Sequence, residues 1–103
     1  MIKVTIPDIG DLSELEKRSK DELDQMTIEA ERNANRLVPV DTGQLRDSIT
    51  IDLRENSIVA EEDYAVFVEF GTINQSPQPF LGPAARQAFK DGIRRLKDGS
   101  RRQ

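Results

Sequence analysis

The chain contains no cysteine and no histidine. The first absence excludes disulfide scaffolds and thiol nucleophiles, and the second excludes imidazole acid–base catalysis. Together they leave no ordinary zinc site. Any catalysis would fall to carboxylates, lysine, tyrosine or hydroxyl groups. Tryptophan is also missing, and four Phe and one Tyr are the only aromatics. No apolar run is long enough to span a membrane, and Met1–Ile6 is too short and too polar for a signal peptide. A reducing cytoplasm, or an assembly built there, is the expected setting. With 36% hydrophobic and 33% charged residues in 103, the chain reads as a single domain, residues 1–103, with a thin core. Such a core points to help from neighbouring subunits.

Charge is unevenly placed. Residues 1–70 carry 8 basic and 17 acidic side chains, a balance of −9, whereas residues 71–103 carry 7 basic and 2 acidic, a balance of +5. A solvated basic tail explains Arg94, Arg95, Lys97, Arg101 and Arg102 most simply. The sharper reading is head-to-tail pairing, with the acidic part of one subunit against the basic end of the next. No aromatic is interleaved among the last basic residues to stack nucleic-acid bases.

Ile2, Val4 and Ile6 alternate with Lys3 and Thr5, a short strand ended by Pro7. Ser13-Glu14-Leu15-Glu16 resembles a capping box. Leu12, Leu15, Ser19, Leu23, Met26, Ala30, Ala34 and Leu37 then mark one stripe on a helix of about seven turns. Pro39 stops it. Ile49, Ile51 and Leu53 predict a strand, Glu55-Asn56 a two-residue turn, and Ser57–Glu61 the returning strand. In Tyr64–Thr72, Tyr64, Phe67 and Val68 share a helical face whereas Val66, Val68 and Phe70 share a strand face, and the stretch reads as a short helical turn running into an extended segment. Ile73–Pro79 is a polar loop suited to a mobile segment. Gly82-Pro83 opens a second helix with Pro at its first position, striped by Ala85, Phe89, Ile93 and Leu96, before a frayed tail at 98–103. The fold class is α+β: a long N-terminal helix and a C-terminal helix packed on a small antiparallel β-sheet.

Three places invite a chemical reading. Asp41-Thr42-Gly43 matches the triplet on which each half of an aspartic protease dyad sits, so a dimeric protease using Asp41 is one class of function. That turn belongs between strands in an all-β fold, whereas here a long helix precedes it and no glycine-rich flap follows. The simpler expectation has Asp41 accepting backbone N–H bonds and Gly43 taking a positive φ. Glu61-Glu62-Asp63 lacks the spacing of a calcium loop and reads as a solvated turn. Glu69, between Val68 and Phe70, is an acid inside an apolar run and needs a partner such as an Arg or a helix N-terminus.

Three blocks follow one another: Val38-Pro39-Val40-Asp41-Thr42-Gly43-Gln44-Leu45-Arg46-Asp47-Ser48-Ile49, then Tyr64-Ala65-Val66-Phe67-Val68-Glu69-Phe70-Gly71-Thr72, then Gln78-Pro79-Phe80-Leu81-Gly82-Pro83-Ala84. In this order they resemble the head–tail joining, or tail-completion, neck protein family of long-tailed phages of the Hong Kong ninety-seven type, over roughly residues 11–97. The resemblance implies that Pro39, Asp41, Thr42, Gly43, Leu45 and Ser48 form a helix-to-strand joint. Tyr64, Ala65, Glu69, Phe70, Gly71 and Thr72 match the central signature, and Pro79, Phe80, Leu81, Pro83 and Ala84 the start of the second helix. It further implies a non-enzymatic virion protein with no cofactor or metal. Copies are expected to form a ring, hexameric in the virion, between the head connector or stopper and the tail tube or tail terminator. The ring would be assembled in the bacterial cytoplasm, with passive contact to channel DNA and none to membrane. A tail terminator capping the tube is the related alternative.

Overall fold

The computed structural model describes residues 1–10, 20–39 and 43–99. Strand β1 (Ile2–Thr5) follows the predicted alternation and gives way at Pro7 to a 3₁₀ turn, Ile6–Asp8, which buries Ile6 completely. Helix α1 spans Lys20–Leu37, 18 residues or about five turns rather than seven. The capping-box pattern and the stripe positions Leu12, Leu15 and Ser19 lie outside the described residues. Within α1, Met26, Ala30 and Ala34 are buried at intervals of four, as expected. Leu37 is exposed, and Val38, one residue on, enters the core as the chain turns at Pro39.

The joint before β2 is helical. Gly43–Asp47 forms a short helix, α2, and Gly43 opens it without the positive φ expected of it. Burial of Leu45 favours the helical form, and Ser48 closes it by donating Oγ to the Leu45 carbonyl at 2.7 Å. Strands β2 (Ile49–Asp52) and β3 (Ser57–Ala60) pair antiparallel with Asp52 opposite Ser57, so the turn holds four residues, Leu53–Asn56, rather than two. Asp52 accepts the Arg54 N–H at 2.8 Å and Asn56 adopts φ 58, which is the chemistry of a longer turn. Leu53 thereby leaves the strand and is exposed. The sheet runs β1-β3-β2, and its pairing aligns Ile2, Val4, Ile49, Ile51, Ile58 and Ala60 on the face packed against the helices.

Helix α3 covers Ala65–Phe70 and helix α4 covers Leu81–Gly99. Helix α4 runs antiparallel to α1, with Asn33 beside Ala84 and Met26 beside Gly92. Ala30, Ala34, Ala84, Ala85 and Ala88 are fully buried. These small residues let the two axes approach closely. A Cβ at Gly92 would stand 2.2 Å from Met26 Cε. Arg95 clamps the pair from outside by donating to Glu29 at 3.0 Å. Asp98 and Gly99 belong to α4 rather than to a frayed tail, and residues 100–103 lie outside the described residues.

Candidate interaction site at the junction of α3 and α4

Glu69 has the partner its sequence setting demanded. It is 6% exposed, and its carboxylate gathers the first free N–H groups of α4. Oε1 accepts from Phe80 at 3.0 Å and from Leu81 at 2.9 Å, while Oε2 accepts from Gly82 at 3.0 Å. A negative group at the positive end of a helix is favoured twice, by the hydrogen bonds and by the helix dipole. This capping also explains where α4 begins. The N–H groups of residues 80, 81 and 82 go to Glu69 and Pro83 has none to place, so Pro83 occupies the third helical position rather than the first. The regular ladder starts at Ala84 N, which donates to Phe80 O at 3.3 Å. With both oxygens engaged and buried, Glu69 is an anchor rather than a proton shuttle.

The segment between the helices is tied down, contrary to its expected mobility. Gly71 ends α3 with φ 80, a conformation favouring glycine. A Cβ there would meet Pro77 N at 2.8 Å and Gln75 O at 2.9 Å. Thr72 and Gln75 bond each other in both directions, Asn74 N donates to Thr72 Oγ1, and Gln78 N donates to Val68 O at 2.8 Å. The expected extended segment after the helical turn is therefore this small bridge, and the helical part reaches Phe70.

On this rigid frame three large apolar side chains face solvent: Phe67 at 56%, Phe70 at 69% and Ile73 at 101% exposure. Phe67 and Phe70 are one helical turn apart, and Ile73 sits at the tip of the bridge. Exposed apolar side chains clustered this way mark interaction surfaces. The sequence reading placed Phe67 with Tyr64 and Val68 on one face. Tyr64 and Val68 do pack against the core, while Phe67 turns outward. Burial, and then the nearby Glu62 carboxylate, push the Tyr64 phenol above its usual range.

The structure brings the second and third sequence blocks together and sets the first beside them. Glu61 N donates to Ser48 O at 3.2 Å, and Gln44 donates to Glu62 at 2.9 Å. Leu45, Ala65, Phe80, Leu81 and Ala84 are core residues, Pro39 and Pro83 are half-buried, and Thr72 and Pro79 are exposed. Asp41 and Thr42 lie outside the described residues, and the glycine after them opens a helix rather than a strand. Among the described residues, no group of three or more acidic side chains is placed to hold a metal ion, and no helix is long and apolar enough to cross a membrane.

Asn56 is the position that sequence reasoning undervalued. It was read as half of a turn, but it is buried, and its amide donates to Asp24 at 2.9 Å and to Thr27 at 3.1 Å. Its backbone carbonyl accepts Ile6 N–H at 2.8 Å. No local pattern announces such a role, because all three partners are distant in sequence.

A protein-family model described as "Bacteriophage HK97-gp10, putative tail-component" matches residues 4–71. The matched stretch runs from within β1 to the end of α3. It contains the first sequence block and all of the second but Thr72, and leaves the third, with α4, beyond its end. No curated protein and no solved structure matches the chain significantly.

Proposed function

Because the chain belongs to the HK97-gp10-like family of phage tail components, we propose that it is the tail-completion subunit of the neck, joining the head connector to the tail tube as one copy in an oligomeric ring. The observation carrying this reading is the Phe67–Phe70–Ile73 surface, solvent-exposed yet mounted on a junction that Glu69, Gly71 and the Thr72–Gln75 bridge make rigid. A chain with a thin core that displays preordered apolar groups is suited to completing its burial against neighbours. The role is structural, and the working location is the virion neck after assembly in the host cytoplasm. No step of catalysis is assigned: Glu69 has no free oxygen, and a peptidase reading predicts an activity of the purified chain that Asp41→Asn abolishes. The direct test is removal of the gene from its phage or prophage. Full heads and finished tails that never join support completion, whereas overlong tails would make the chain a tail terminator.

A further inference from the structure

Resting on the reading that the α3–α4 junction meets other proteins, we infer that the open edge of β1 docks an extended acidic segment of a partner protein, which joins the sheet as a fourth strand. The backbone pattern opens this edge. Ile6 N–H donates to Asn56 O, and with the β1–β3 register this makes Ile2 and Val4 the residues whose N–H and C=O groups point to β3. The N–H and C=O groups of Lys3 and Thr5 therefore point the other way. Among the described residues no hydrogen bond reaches them, because β1 is the last strand of the sheet. Lysine commonly blunts such an edge. Here the Lys3 ammonium is held at 2.6 Å by Glu55, in the turn before β3, and so is drawn to the paired side.

A cleft of about 280 Å³ runs beside this edge, taking Ile2, Lys3 and Val4 from β1 and no residue of β3. Phe70, Leu81 and Arg86 line it from the α3–α4 side. Ile2 and Val4 are half-buried and Phe70 is exposed, so an added strand finds apolar surface for its alternate side chains. Charge then selects the occupant. Of the three ionisable residues in the cleft, Lys3 has Glu55, and Glu69 has both oxygens engaged by the start of α4. Arg86 is exposed and forms no ion pair among the described residues. Its guanidinium reaches back over Gly82, where an added Cβ would stand 3.0 Å from Arg86 Nη1 and 3.1 Å from Glu69 Oε2. A guanidinium left without a carboxylate beside apolar walls is suited to take one from the incoming strand, by paired hydrogen bonds.

The probe is a displayed library of random linear peptides, selected on the immobilised chain. Enriched peptides should alternate apolar side chains along the strand and place an Asp or Glu among them. The same library selected on Arg86→Glu should return Lys or Arg at that place. A selected peptide, made synthetically, should bind Arg86→Glu about tenfold more weakly than the unaltered chain, with Arg86→Gln between the two. Thermal unfolding is the control for folding, and Arg86→Gln carries the comparison where Arg86→Glu lowers the midpoint. Methylating alternate amide nitrogens of the peptide should abolish binding in one register and spare it in the other, since only every second N–H of an added strand meets β1. No enriched peptide, a selection indifferent to the charge at residue 86, or binding that survives both methylation patterns would overturn the inference. So would an edge filled by a second copy, seen as oligomers that Arg86→Glu reduces to single chains. None of these readouts involves the joining of heads to tails, which tests the neck assignment separately.

Discussion

Glu69 and Asn56 are both buried polar side chains that bind together parts of the chain far apart in sequence, and they do so by opposite means. Glu69 is an ion that accepts three N–H groups from the start of α4 and fixes the α3–α4 junction beneath exposed Phe67, Phe70 and Ile73. Asn56 is neutral, its side chain donates to Asp24 and Thr27 of α1, and its backbone carbonyl takes the Ile6 N–H, gathering the hairpin turn, α1 and the 3₁₀ turn. Around Asn56 the surface is sealed by paired charges, Lys20 with Asp24 and Lys3 with Glu55, both at 2.6 Å. Beside Glu69, Phe70 is exposed in a cleft that Lys3 and Arg86 also line. One clamp therefore closes an end covered by ion pairs, and the other holds an end where large apolar side chains stay exposed.

The comparison is broken most severely at Glu69. Glu69→Ala leaves three N–H groups unsatisfied at a buried helix start and should cost about 3 kcal/mol in chemical unfolding. Glu69→Gln retains one acceptor oxygen but turns an NH₂ toward Gly82 N–H, so a loss of about 1.5 kcal/mol is expected. Equal losses for the two would refute the capping account. At the other clamp, Asn56→Ala removes two donated bonds and forces a Cβ-bearing residue without a polar side chain to hold φ 58, for about 2 kcal/mol. Asn56→Gly should fall short of that loss, because glycine tolerates the backbone. A glycine variant no better than alanine would mean that the backbone conformation contributes nothing.

How much of this was legible depends on range. The strands at Ile2–Thr5 and Ile49–Asp52 and the stripe Met26, Ala30, Ala34 follow from side-chain period alone. Glu69 was legible as a problem, an acid among apolar residues, and its solution by a helix start was one of two partners named. The five residues of α2 are too few for a period to appear, and Leu45 and Ser48 hold them helical by burial and a local hydrogen bond. Phe67 was misread because its helix is six residues long and a face cannot be chosen without knowing where Ala65 and Glu69 pack. Asn56 stayed hidden because a turn residue gives no local sign of contacts 29 and 32 residues away.

The smallest expected effect is one of pH. The Asp24 carboxyl is held below its usual range by hydrogen bonds from Lys20 and then from Asn56. Glu55 is lowered first by Lys3, and Asp52 by the Arg54 backbone N–H. Depressed folded-state values mean that the stabilisation is present above the ordinary carboxylate range and fades as pH falls through the lowered values. All three groups lie at the surface around the Asn56 end, so the acid side of the stability profile should slope gently there. Asp24→Asn should flatten that slope by lowering neutral-pH stability slightly towards its acid-side value, because the contribution that acid removes is then missing at every pH. An unchanged slope would remove Asp24 from the account.

The contrast between a closed end and an open one rests on what Phe67 and Ile73 do, and the double variant Phe67→Ser/Ile73→Ser probes it most directly. Its native mass and its unfolding midpoint are read together beside those of the unaltered chain. Assembly without a folding role predicts a fall to the mass of one chain with an unfolding midpoint that does not move, since neither side chain is in the core. An unchanged oligomeric mass, or a midpoint that drops with it, would contradict the claim that this surface exists for a neighbour.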